Sequence, residues 1–154
     1  QESVALGLAA LGRCEADTVV LVHDAARPLT PPQVTERVID AVAGGAGAVI
    51  PVLPVTDTLK TVDASGVVVG TPRRSDMVAV QTPQGFRWDV LIRAHEEGAS
   101  LGADETRAAT DDAGLVEAIG GTVHTVAGDE RSMKVTRPLD LALAQILVAE
   151  EATV

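Results

Sequence analysis

Apolar positions along the chain fall into two kinds of run, and their alternation predicts an α/β protein. The first run is Val19, Val20, Leu21 and Val22 within Thr18–His23, continuous enough to fill a strand buried on both faces. Ahead of it, Val4, Leu8 and Leu11 recur at helical spacing behind Ser3 as a cap, which predicts a helix over 3–12. After it, Pro31-Pro32 opens a helix over 33–43, because proline fits a first helical turn, and Gly44-Gly45 stops it. Ala46–Val52 then reads as the next buried strand. A strand-helix-strand order of this kind implies a right-handed crossover between parallel strands.

The middle of the chain differs in character. Asp57–Val62 and Val67–Val69 are β-rich runs separated by the turn sequence Asp63-Ala-Ser-Gly66, so together they predict a hairpin. Val78–Gln81 follows as a strand. A two-stranded hairpin is marginal by itself, so residues 56–81 are expected to form an arm that packs on something, a second copy of the chain first of all. From Arg87 the helical pattern returns, with Val90, Leu91 and Ala94 on one face. Leu101–Thr110 is polar and loop-like. Thr110-Asp111-Asp112 caps a helix running through Ile119, with its carboxylates at the positive end. Gly120-Gly121 ends that helix, Thr122–Val126 and Met133–Thr136 read as strands, and Arg137–Ala149 as a closing helix. The expectation is one α/β domain over residues 1–154 with a mostly parallel sheet.

Composition sharpens this picture. With one Phe, one Trp and no Tyr, the core must be built from Val, Leu, Ile and Ala. Hydrophobic residues at 46% and charged residues at 22% fit a soluble globular protein. The formal net charge of −10 argues against a broad grip on a nucleic-acid backbone, but leaves room for a small cationic pocket. Cys14 is the only cysteine, which excludes an intrachain disulfide and a cysteine-based zinc site and reads as a small thiol at a helix end. No apolar run approaches the roughly 20 residues of a membrane span, and no signal-peptide pattern opens the chain; a cytoplasmic protein is expected. The chain opens with Gln1, inside a helical pattern, and reads as a fragment of a longer protein.

The strongest chemical signal is His23-Asp-Ala-Ala-Arg-Pro28, at the carboxyl end of the first strand, where open α/β sheets bind ligands. A carboxylate there can hold Mg²⁺ against phosphate oxygens, and a guanidinium can grip a second phosphate. The same residues also suit a solvated turn in which Asp24 caps and Arg27 pairs with it. Gly44-Gly45-Ala-Gly47 is the only glycine cluster, and its place between a helix and a strand is the wrong order for a phosphate cradle. His23 is expected to pack or hydrogen-bond beside the loop, whereas His95 and His124 stand isolated.

Val22-His-Asp-Ala-Ala-Arg-Pro28 resembles the signature of the methylerythritol phosphate cytidylyltransferases. Other segments fit in order: Ser3-Val4 with Gly7-Leu8, Thr56-Asp-Thr-Leu-Lys60, Val80-Gln-Thr-Pro-Gln84, Thr110-Asp-Asp-Ala113, and Lys134-Val-Thr-Arg-Pro138 leading into Asp140-Leu-Ala-Leu143. The resemblance covers essentially the whole chain. It implies a three-layer, Rossmann-like nucleotidyltransferase fold, transfer of CMP from CTP to 2-C-methyl-D-erythritol 4-phosphate with release of pyrophosphate, and a homodimer joined through the 56–81 arm. It further implies that Ser3, Asp24, Ala25 and Lys134 face the nucleotide and that Asp24 holds Mg²⁺. Arg27, Thr58, Thr82 and Thr110 would meet the sugar-alcohol phosphate, and Asp24, Arg74 and Lys134 would be catalytic. Thr58 and Arg74 would reach the site of the other subunit. The family's glycine-rich loop with its Arg and Lys, which wraps the triphosphate, has no counterpart in this sequence, so the chain by itself is expected to have little activity. Glu130-Arg-Ser132 stands where the family usually has an Asn before the lysine. Two other functions remain open: a sister cytidylyltransferase acting on ribitol 5-phosphate, and a dimerising module with no turnover.

Overall fold

In a computed structural model, which describes residues 2–101 and 111–151, the elements follow the predicted order through the first half of the chain. Helix α1 (Glu2–Leu11) leads to β1 (Val19–Val22), α2 (Pro32–Ala43) and β2 (Ala48–Pro54). Proline opens α2 as expected, and the Gly44 N–H closes it on the Asp40 carbonyl at 2.8 Å. The hairpin follows as β3 (Thr61–Val62) and β4 (Val68–Gly70), a two-stranded antiparallel sheet of its own. Asp63 makes its turn: the carboxylate accepts from Ser65 N at 2.9 Å, Ser65 Oγ at 2.6 Å and Val67 N at 3.0 Å. Gly66 supplies the positive φ of 84° that the turn requires. Residues 57–60, expected in the first strand, are not part of it.

The second half contains β5 (Val78–Val80), β6 (Gln84–Arg87), α3 (Trp88–Leu101), α4 (Asp112–Ala118), β7 (Val123–Ala127) and α5 (Pro138–Glu151). Thr110, and the 102–110 stretch read as loop, lie outside the described residues.

The expectation of a mostly parallel sheet is corrected. Strand β6 runs antiparallel to both β1 and β2, β5 runs antiparallel to β2, and only β7 pairs in parallel, with Ala48–Val52 of β2. The crossover logic was right about direction, since β1, β2 and β7 all point the same way. It missed that β6 is inserted between β1 and β2. The reason is visible in Gln84-Gly-Phe-Arg87, which has no β-branched residue and no alternation. Gly85 is there because α2 lies on it: a Cβ at this position would stand 2.4 Å from Val38 Cγ1 and 3.2 Å from Val42 Cγ2. Met133–Thr136 is likewise no strand. A 3₁₀ turn over Glu130–Ser132 precedes it, and its one ladder-like bond is Val135 N–H to the Ala26 carbonyl at 2.8 Å.

The sheet separates two apolar layers. Val38 and Val42 of α2 pack on Val49, Val19 and Leu21 on one face. On the other face Leu8, Leu91, Ala94, Ala113, Leu115 and Val116 close over Ala48, Ile50 and Phe86. Period-two alternation along β2 sends Ala48 and Ile50 to one layer and Val49 to the other. This leaves the carboxyl ends of β1 and β2 facing the same end of the sheet, with the loops that follow them.

Candidate active site

The loop after β1 turns sharply, with Arg27 N–H bonded to the Asp24 carbonyl at 2.9 Å. That turn brings Asp24 and Arg27 to the same side, and their side chains pair at 3.7 Å. A cavity of about 410 Å³ opens beside them, lined by Ser3, Val4, Val22, His23, Val80–Thr82, Gln84, Asp111, Asp112 and Lys134. Its residues come from α1, the end of β1, the β5–β6 junction, the start of α4 and the loop before α5.

Lys134 reaches the cavity from 110 positions away in sequence and places Nζ 3.0 Å from Asp24 Oδ2. Both side chains are about half exposed, so this ion pair contributes little to stability; what matters is that a cation and a carboxylate share a wet pocket. Arg27 is different. Its side chain is only 13% exposed, and Nη1 donates to the Ser132 carbonyl at 2.5 Å while Nη2 reaches the Val80 carbonyl at 3.4 Å. Arg27 Nε is buried without a hydrogen bond, with the Asp24 carboxylate as its nearest anion. Two of its donors hold backbone in place, and the side chain forms part of the cavity wall.

Thr82 stands between two of the loop residues. Its hydroxyl accepts from Asp24 N–H at 3.0 Å and lies 2.9 Å from His23 Nδ1. A hydroxyl carries one proton and two lone pairs, so Thr82 can hold Asp24 N–H and the His23 ring at the same time. The peptide bond from Thr82 to Pro83 is cis. His23 thus hydrogen-bonds beside the loop as expected, and Thr82 fixes the backbone at Asp24.

On the opposite wall the start of α4 is clamped from two sides. Asp111 caps the helix by accepting from Gly114 N–H at 2.9 Å. Gln84, buried at 3% exposure, donates from Nε2 to Asp111 Oδ2 at 2.7 Å and accepts from Ala113 N–H at 3.2 Å. Asp112 pairs with His95 Nε2 at 2.8 Å, with both side chains nearly buried. His95 is therefore not isolated; the i to i+17 spacing that joins it to Asp112 follows no motif, and only the packing of α3 on α4 creates it.

Of the residues singled out from sequence, Ser3, Asp24, Arg27, Thr82 and Lys134 line one cavity, and Ala25 lies in the same turn. Thr58 and Arg74 do not line it. Arg74 is exposed, and its Nη1 donates to the Thr56 carbonyl at 2.8 Å, within the arm segment. Gln81 and Gln84 stand in the Val80–Gln84 segment that carries the resemblance, but no role for them or for His95 follows from the sequence, because a buried amide or imidazole gives no spacing signal. Among the described residues no cluster of three or more His, Cys, Asp or Glu could enclose a metal ion. A cation at Asp24 would have to be one carried largely by phosphate oxygens, as Mg²⁺ commonly is.

Comparison with known proteins bears on this arrangement. Residues 1–150 match the profile of the 2-C-methyl-D-erythritol 4-phosphate cytidylyltransferases. The enzyme of that name from Rhodococcus jostii is 52% identical over 151 residues, covering 98% of this chain and 62% of the relative. That of Frankia casuarinae is 58% identical over 132 residues, covering 86% of this chain and 47% of the relative. Among solved structures, the Thermus thermophilus enzyme superposes with a TM-score of 0.78 at 40% identity, covering 94% of this chain and 66% of that one. The Francisella tularensis enzyme gives 0.83 at 28% identity, covering 94% and 65%. The chain thus spans less than two thirds of the length of these relatives.

Proposed function

This chain belongs to the 2-C-methyl-D-erythritol 4-phosphate cytidylyltransferase family, and from that premise we propose that its cavity serves transfer of CMP from CTP to methylerythritol phosphate. The observation that carries the reading is the meeting of Asp24, Arg27 and Lys134 at the carboxyl end of β1, from segments far apart in sequence. Such a site suits a reaction in which two anionic substrates must be brought together and no covalent enzyme intermediate is needed.

In this reading a phosphate oxygen of methylerythritol phosphate attacks the α-phosphorus of CTP in line. The new P–O bond forms as the bond to pyrophosphate breaks, and pyrophosphate leaves. Lys134, paired with Asp24 at rest, offsets the repulsion between the two phosphates as they close. Asp24 would hold Mg²⁺ riding on the nucleotide phosphates, and the ion would supply neutralisation of phosphate charge. Its single carboxylate, half exposed and at the cavity rim, fits that duty. Ser3 and the Asp24-Ala25 backbone face the nucleotide, while Arg27, Thr82 and Thr110 attend the sugar-alcohol phosphate.

The arm completes the proposal. Thr58 and Arg74 are away from their own cavity, and the hairpin exposes Val62, Val67, Val68 and Val69 at 55–63%. We read residues 56–81 as a dimerisation arm that carries Thr58 and Arg74 to the site of a second copy.

The test takes the full-length polypeptide that carries this chain and follows release of pyrophosphate from CTP with Mg²⁺. Methylerythritol phosphate should support turnover, ribitol 5-phosphate should not, and Asp24→Asn should leave almost none. Equal turnover of the two acceptors, or an Asp24→Asn protein as active as its parent, would refute the assignment.

A further inference from the structure

We infer that Gln81 is a positioning residue for Lys134, acting through the backbone of the loop that carries it; the inference rests on the cytidylyl-transfer reading of the site. Gln81 is 4% exposed. Its main-chain N–H is bonded to the Pro51 carbonyl of β2 at 2.8 Å, which fixes the residue to the sheet. Its side-chain amide reaches Asp129 and pairs with that residue twice over. Nε2 donates to the Asp129 carbonyl at 2.8 Å, and Oε1 accepts from Asp129 N–H at 3.0 Å. A side chain here does what a neighbouring strand would do for a ladder residue.

The loop is shaped to receive it. A Cβ on Gly128 would stand 2.2 Å from Gln81 Oε1 and 3.0 Å from the Val52 carbonyl, so only glycine lets the backbone approach this closely. From Asp129 the chain makes its 3₁₀ turn, Ser132 presents its carbonyl to Arg27, and Val135 N–H meets the Ala26 carbonyl. Lys134 sits between those last two anchors with Nζ on Asp24. Gln81 and Arg37, which donates to the Ala127 and Gly128 carbonyls at 2.8 and 3.3 Å, hold the entry to the loop. Arg27 and Ala26 hold its exit. Removing the Gln81 amide leaves both polar groups of Asp129 without their partner, and the loop must shift to find water. A shift of the order of 1 Å at a group that acts on the reacting phosphates costs about 100-fold in rate.

The experiment compares Gln81→Leu with its parent in the full-length polypeptide. The variant should lose about ten- to 100-fold in kcat, with KM for CTP within about twofold because Lys134, in this reading, acts most strongly as the two phosphates close. Gln81→Glu keeps the acceptor for Asp129 N–H but not the donor, and should fall between the two. A readout that loss of general stability would not move is the combination with Lys134→Ala. If Gln81 acts through Lys134, adding Gln81→Leu to Lys134→Ala should change kcat by less than about twofold. Full multiplication of the two effects would overturn the inference. Amide hydrogen exchange gives a test independent of turnover: the Asp129 N–H should exchange at least about tenfold faster in Gln81→Leu. Unchanged protection at Asp129 would overturn the inference even if the parent enzyme proved to have another substrate. A parent with no cytidylyl transfer, but with Asp129 exchange accelerated by Gln81→Leu, would instead overturn the functional reading and leave the loop anchor standing.

Discussion

Substituting Gly85 by alanine tests how β6 is inserted, and with it why Thr82 and Gln84 stand at the cavity. The backbone at Gly85 is not among the positive-φ glycines, so alanine meets no backbone strain and only the packing resists it. The added Cβ would lie 2.4 Å from Val38 Cγ1, 3.2 Å from Val42 Cγ2 and 3.4 Å from Leu21 Cδ2. The first distance is far inside van der Waals contact, and Val38 is fully buried with no room to turn. Overpacking of this kind costs about 1–3 kcal/mol. Val38→Ala alone removes two buried methyl groups and should cost about 2 kcal/mol. In the double variant the methyl group introduced at position 85 enters the space that Val38 Cγ1 has left. The pair should then be more stable than the sum of the singles by about 1–2 kcal/mol. Urea unfolding followed by circular dichroism, at unchanged m-value, measures all three. Effects that add to within about 0.5 kcal/mol would mean that α2 does not rest on Gly85 and that the antiparallel insertion of β6 is wrongly explained.

Two further predictions concern the arm and the closing helix. Mixing Arg74→Ala with Asp24→Asn chains should restore activity above the sum of the two, because each mixed dimer would own one site with both residues intact; no gain despite demonstrated subunit exchange would remove Arg74 from the partner's site. Asp140, in the first turn of α5, accepts from Thr136 N–H, the Thr136 hydroxyl and Arg137 N–H, and the Thr136 N–H chiefly holds its carboxyl below the ordinary 3.8. A carboxyl depressed in the folded state stabilises in full above its unfolded value, and that contribution fades as pH falls through and below 3.8. Asp140→Asn should therefore lower thermal stability near about pH 6 and approach the parent as the pH falls through and below 3.8. A difference that stays constant across that range would disprove the capping role.

The sequence by itself determined those parts of the protein whose physics is local. Proline at the start of α2, Gly44 at its end, Asp63 and Gly66 in the hairpin turn and Asp111 capping α4 all act within a few residues of themselves. The continuous apolar runs of β1 and β2 announced strands, of which β2 is buried over Ala48–Pro51 whereas β1, at the edge of the described sheet, is only half-buried; the Asp24–Arg27 turn followed from its place after β1. Tertiary structure decided the rest. Strand β6 could not be foreseen because its defining residue is a glycine whose purpose is a valine on a helix far from it in sequence. The sheet is mostly antiparallel in its pairings for the same reason: direction follows from local connection, but neighbourhood is chosen by which strand α2 can cover. Lys134 was marked out by resemblance, yet its ion pair with Asp24 depends on a loop held by Gln81, Arg27 and Arg37, none of them near it in sequence. His95 and Asp112 find each other only because α3 packs on α4. Side-chain amides and imidazoles buried in this way carry no periodicity, since their partners are single peptide groups or carboxylates, and those become neighbours only once the sheet has formed.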